Sequence, residues 1–134
     1  MVHTGYRSDP TIELTWALIL ASARHIVTES NSVRSGGWQQ AVGTDLGGKT
    51  LGVLGLGRVG SQVARVGRAF GMNLIAWSQN MTPEAAKAAG AILVSKDQLF
   101  ERADILTIHL VLSSRTRGLV GAAELERIDR KSVV

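Results

Sequence analysis

Apolar positions along the chain change their period near residue 49. From Ile12 to Val27 they are almost continuous: Ile12, Leu14, Trp16, Ala17, Leu18, Ile19 and Leu20. A lone surface helix carries a single apolar stripe, so this run predicts a helix covered on more than one side. Asp9 is placed to cap it, and Pro10 suits a first turn, where a missing N–H costs nothing. A polar connection holding Gly36 and Gly37 follows, and then the turn region Gly43 to Gly48.

Beyond Lys49, short apolar runs alternate with helical ones. Thr50 to Leu54 predicts a buried strand, and Val59 to Phe70 a helix ended by Gly71. Asn73 to Trp77 predicts a second strand. A short helix opened by Thr82 and Pro83 carries Ala85, Ala86, Ala88 and Ala89 and stops at Gly90. Ile92 to Val94 is a third strand, Asp97 to Ala103 a turn or two of helix, Ile105 to Leu110 a fourth strand and Ala122 to Ile128 a last helix. Ser132, Val133 and Val134 read as a fifth strand that has barely begun, with little to pair with. The fold class is therefore α/β, a parallel sheet between helical layers, apparently truncated at the fifth strand.

A length of 134 residues suits one domain with a real core. The absence of cysteine excludes disulfides and thiolate metal sites, and His3, His25 and His109 are too scattered for a metal cluster. The opening MVHTGYRSDP lacks the apolar core of a signal peptide. The longest apolar run, Trp16 to Ala21, is far short of the roughly 20 residues that cross a bilayer. No membrane partner is expected, and a cytoplasmic location is the default. The net charge of +4 is small and spread along the chain.

The candidate chemistry lies in Gly55, Gly57 and Gly60, a G-x-G-x-x-G pattern between a strand and a helix, where it serves dinucleotide binding. Gly55 permits the tight turn, Gly57 leaves room for a pyrophosphate, and Gly60 lets the helix pack closely on the sheet. Ligand approach explains the three together. N–H groups from Arg58 onward would receive phosphate oxygens, with a charge-assisted contact available from the Arg58 side chain. Gly67 reads as a helix–helix contact and Gly71 as a C-cap. The second strand should end in an acid that binds the adenosine ribose of NAD, yet here it ends in Trp77, Ser78, Gln79 and Asn80. Ser78 can bond a hydroxyl without repelling a 2′-phosphate. No Arg or Lys follows until Lys87, so a strong phosphate clamp is missing as well, and NAD against NADP stays open. Trp77 reads as packing rather than a stacking platform. His109, with Leu110 and Val111, ends the fourth strand, where open α/β sheets place ligands, and would flank a cofactor rather than transfer protons.

The segments GKTLGVLGLGRVGSQVARVGRAFGMNLIAW and ADILTIHLVLSSRTRGLVGAAEL resemble the cofactor domain of the D-isomer-specific 2-hydroxyacid dehydrogenases, the group that includes phosphoglycerate, glycerate and formate dehydrogenases. Glu13 to Ile26 and Arg34 to Trp38 resemble the helix and arm that lead into that domain. The resemblance implies a three-layer Rossmann-type fold and an oxidoreductase moving hydride between NAD or NADP and a D-2-hydroxy or 2-keto acid. It divides the chain into a tail (1–10), a linking helix and arm (11–48) and a partial dinucleotide-binding domain (49–134). It also implies a homodimer through residues 11–38.

By the same resemblance, Gly55, Gly57, Arg58, Val59 and Gly60 hold the pyrophosphate, and Ser78 stands where Asp is usual, with Gln79 and Asn80 beside it. His109, Leu110, Val111 and Thr116 match the loop on the ribose and nicotinamide side, where Val111 and Ser114 replace prolines and leave that loop less rigid. The family's substrate-clamping arginine follows the strand that starts at Val133, with its glutamate and general-acid histidine later still. No catalytic residue can be assigned, and the chain by itself is expected to show little turnover. A rival reading is a stand-alone nucleotide-binding or interaction module. A second, nucleic-acid binding through Arg115, Arg117, Arg127, Arg130 and Lys131, has no recognition motif and is diluted by Glu124, Glu126 and Asp129.

Overall fold

A computed structural model describes residues 8–128 and the backbone of 132–133. Residues 1–7, including His3, lie outside the described residues, as do Asp129, Arg130, Lys131 and Val134.

The elements run in the order α1 (Asp9–Ala23), α2 (Ile26–Arg34), β1 (Thr50–Leu54), α3 (Arg58–Ala69), β2 (Asn73–Trp77), α4 (Pro83–Ala88), β3 (Ile92–Leu93), α5 (Lys96–Arg102), β4 (Ile105–Ile108), α6 (Ala122–Arg127) and β5 (Ser132–Val133). All strand pairs are parallel, in the order β3-β2-β1-β4-β5. The chain thus walks outward from β1 through β2 to β3, then crosses back to β4 on the other side of β1. That reversal opens a crevice beyond the carboxyl ends of β1 and β4.

Two cores sandwich the sheet, as near-continuous apolar strands require. On one face Leu51, Val53 and Leu74 meet Val63 and Ala64 of α3, Ala86 of α4, and Trp16 and Ile19 of α1. On the other, Leu54, Ile75 and Leu106 meet Leu99 and Phe100 of α5 and Ile128 just past α6. Gly67 would carry a Cβ 2.8 Å from Leu51 Cδ2, 3.2 Å from Leu74 Cδ2 and 3.5 Å from Trp16. Its main service is therefore helix-to-sheet contact, rather than the helix–helix contact expected. Gly71, at φ +75°, does end α3: its N–H bonds Arg68 O, and Met72 N–H bonds Gly67 O.

The first helix departs from its expected course. Ser8, already helical at φ −81° and ψ −15°, takes the cap position without a side-chain bond, and Asp9 falls in the first turn, where an acid still favours the helix dipole. The helix also stops at Ala23 instead of running to Val27. Ala23 O accepts Thr44 N–H at 2.7 Å, Arg24 pairs with Asp45 at 3.0 Å, and His25 adopts a left-handed φ of +53°. α2 then occupies what the polar composition had marked as a connection. Its Glu29 carboxylate accepts the amides of Gln40 and Ala41 and ties the arm back to the helix. The fifth strand is paired after all, Ser132 with Ile105 and Val133 with Leu106.

Candidate functional site

The turn from β1 into α3 is built by close backbone contacts. Gly55, at φ +93°, donates its N–H to Trp77 O at 2.8 Å. A Cβ there would lie 2.7 Å from His109 O and 2.8 Å from Leu110 Cδ2, so the turn passes hard against the exit of β4. A Cβ on Gly60 would collide with the carbonyl oxygen of Gly55 and press Val53. These two glycines are demanded by the protein's own packing, which corrects the expectation that ligand approach accounts for all three.

Gly57 is different. Its φ of −83° suits any residue, and a Cβ on it would meet nothing within 4 Å. It stands at the N-cap of α3, where no side chain caps the first-turn amides of Arg58, Val59 and Gly60 and no acid lies in the first turn. The cradle is open, polar on its floor and at the positive end of a twelve-residue helix. A pyrophosphate fits that chemistry.

β4 delivers the opposite wall. His109 N–H bonds Leu54 O at 2.8 Å, and its ring Nε2 lies 2.8 Å from the hydroxyl of buried Thr107. Partial burial holds the imidazole below its ordinary pKa and favours the neutral ring. Beyond it the loop closes on itself. Thr116 Oγ1 donates to Val111 O at 2.7 Å and accepts Ser113 N–H at 2.8 Å. These bonds close the loop on itself around the positions where the resemblance places prolines. They also engage the Thr116 hydroxyl inside the loop.

The ends of β2 and β4 face each other across a cleft of about 260 Å³. Ser78, Gln79 and Asn80 line one side, and Leu110, Val111 and Thr116 the other, so these expected positions share one cavity. Trp77 is half-buried against the second core and also lines the cleft. Arg115 lines it too. The next basic residue in sequence after Ser78 is Lys87, whereas the fold brings Arg115 into the lining of the same cleft. No local pattern around Ser78 signals this.

Among the described residues no helix is long and apolar enough to cross a membrane, and no group of acidic or histidine side chains could hold a metal. Arg127, one of the scattered cations, is paired with Asp97 at 2.8 Å.

Parallel strands reversing at β1, a glycine turn at a helix start and a cleft of mixed lining at the ends of β2 and β4 together define a dinucleotide-binding α/β domain. Residues 16–134 match the model of the "D-isomer specific 2-hydroxyacid dehydrogenase, NAD binding domain". The chain belongs to that family, through its NAD-binding domain. It is 42% identical to a glyoxylate reductase of Aeropyrum pernix over 97% of its own length and 42% of the relative's. It is 38% identical to a D-3-phosphoglycerate dehydrogenase of Methanocaldococcus jannaschii over 91% of its length and 24% of that protein's. Among solved structures, a D-lactate dehydrogenase of Aquifex aeolicus complexed with NAD and lactic acid superposes with a TM-score of 0.88 at 26% identity, covering 96% of this chain and 40% of that one. The chain thus spans less than half the length of these relatives.

Proposed function

We propose that this chain holds the cofactor in an oxidoreductase that interconverts a D-2-hydroxy acid and its 2-keto acid. The open space at Gly57 carries the reading, because the protein's own packing gives no reason for glycine there. The amides of Arg58, Val59 and Gly60 receive the pyrophosphate. Ser78, Gln79 and Asn80 face the adenosine ribose. His109, Leu110 and Val111 flank the nicotinamide side, with Thr116 holding the loop in shape. A bound nicotinamide supplies the hydride acceptor or donor. The chain's own residues orient it: the neutral His109 ring, fixed by Thr107, presents a polar edge without adding charge next to a ring that gains or loses positive charge.

The end of β2, at Ser78, Gln79 and Asn80, has no carboxylate to favour NAD or to repel the 2′-phosphate of NADP. Substrate clamping and proton transfer have no assigned residue on this chain, so binding without turnover is expected of it alone. A homodimer through residues 11–38 belongs to the same reading. Leu14, Leu18, Val27 and Trp38 are exposed there, Trp38 at 81%, and burying such a face is the usual reason for one. Calorimetric titration with NAD, NADH, NADP and NADPH tests the whole. Saturable binding of either pair is expected, and no binding at millimolar cofactor would sink it.

A further inference from the structure

Among the described residues, the cleft between β2 and the loop after β4 has a single charged lining residue, Arg115, which shares it with Ser78, Gln79 and Asn80. An acid at the end of β2 would hold both ribose hydroxyls and repel a 2′-phosphate. Ser78 does neither. Its hydroxyl can donate to a phosphate oxygen, and it brings no negative charge.

Arg115 is exposed on this wall, and two features bear on what it can bind. Its backbone lies inside the loop clasp, between Ser113, whose N–H bonds Thr116 Oγ1, and Thr116 itself, whose Oγ1 bonds Val111 O. Arg117 N–H closes the same turn on Ser113 O at 2.9 Å. Among the described residues, Arg115 also has no carboxylate partner. An exposed guanidinium without a carboxylate partner among the described residues, on a hydrogen-bonded loop at the wall of a cleft that no described acid lines, is placed to receive a dianion. Its planar fork suits phosphate in particular.

We propose that Arg115, in the same cleft as Ser78, makes this site selective for NADP(H) over NAD(H) by receiving the 2′-phosphate. The inference rests on the dinucleotide reading above and specifies which member of the cofactor pair it takes.

The test is a parallel titration of the 134-residue chain with NADPH and NADH, followed in the variants Arg115→Ala, Arg115→Glu and Arg117→Ala. NADPH should bind the unaltered chain at least tenfold more tightly. Loss of a charge-assisted contact in Arg115→Ala should weaken NADPH roughly tenfold or more, with NADH changed far less. Arg115→Glu should reverse the preference, and Arg117→Ala should alter neither. NADPH affinity should also fall more steeply with salt than NADH affinity. Equal affinities, or an NADPH preference that survives Arg115→Glu, would overturn the role of Arg115 while leaving the dinucleotide site intact. Binding of neither cofactor would overturn the site reading and this inference with it.

Discussion

Two glycines three positions apart in one turn do different jobs, and substitution separates them. Gly60→Ala forces a methyl onto the Gly55 carbonyl and should cost about 1–3 kcal/mol of stability. Gly57→Ser adds a Cβ that meets nothing within 4 Å and puts a good capping residue at the start of α3, so the unfolding midpoint should hold or rise slightly. Its side chain would fill the phosphate space, and dinucleotide affinity should drop roughly tenfold or more. Urea unfolding and calorimetry on the same two proteins check both. His109 adds a pH signature. Burial lowers its folded pKa below 6.5, so its neutral form is the one the fold accepts. Stability is therefore fully present above pH 6.5 and declines as pH falls through that value towards the folded pKa, because the unfolded chain takes the proton first. His109→Asn should remove that component from a plot of unfolding midpoint against pH.

At the scale of elements, a few contacts decide which helices stay docked. Trp16 is buried and packs its ring on Phe70 with centroids 5.1 Å apart, joining α1 to the end of α3. Trp16→Ala should cost about 3–5 kcal/mol, read as a loss of thermal or denaturant stability. α6, of six residues, cannot stand on helix propensity. Its Glu124 accepts Lys96 Nζ of α5 at 2.7 Å and Gly121 N–H at 2.8 Å. The hydrogen bond from Lys96, followed by that from Gly121, holds this carboxyl down at about 2. The contribution is present above pH 4.5 and is lost as pH falls through about 2. Glu124→Gln should thus speed amide hydrogen exchange in α6 at neutral pH, where the unaltered chain is protected. The break at Arg24 and His25 belongs to this scale too. The apolar pattern runs through it unmarked, and the helix stops because the arm returns to capture the Ala23 carbonyl and the Arg24 side chain.

For the whole molecule, the apolar residues left outside matter as much as the core. Leu18 and Val27 line a hollow of about 340 Å³ at the corner between α1 and α2, and both are exposed. If a second copy covers this face, light scattering should give a dimer for the unaltered chain, and Leu18→Glu combined with Val27→Glu should give a folded monomer. A monomeric unaltered chain would remove the dimer from the proposed function while leaving the cofactor site untouched.

Sequence alone settled what local physics controls. β1 and β2 fall where their apolar runs place them, because a short apolar segment between glycine and polar turns has few ways to be buried other than as an inner strand. Gly71 and Gly90 end their helices as read, since a left-handed residue there suits glycine far better than any other. The glycine turn was legible for the same reason. Tertiary structure decided what depends on segments far apart in the chain. It showed Gly55 and Gly60 to be required by the backbone of β4 and of the turn itself, which singles out Gly57. It paired β5 with β4, and it stopped α1 at the arm. It also brought Arg115 into the cleft that Ser78 lines, a placement set by the crossover from β3 back to β4 and by the clasp at Thr116, which no spacing within either segment encodes.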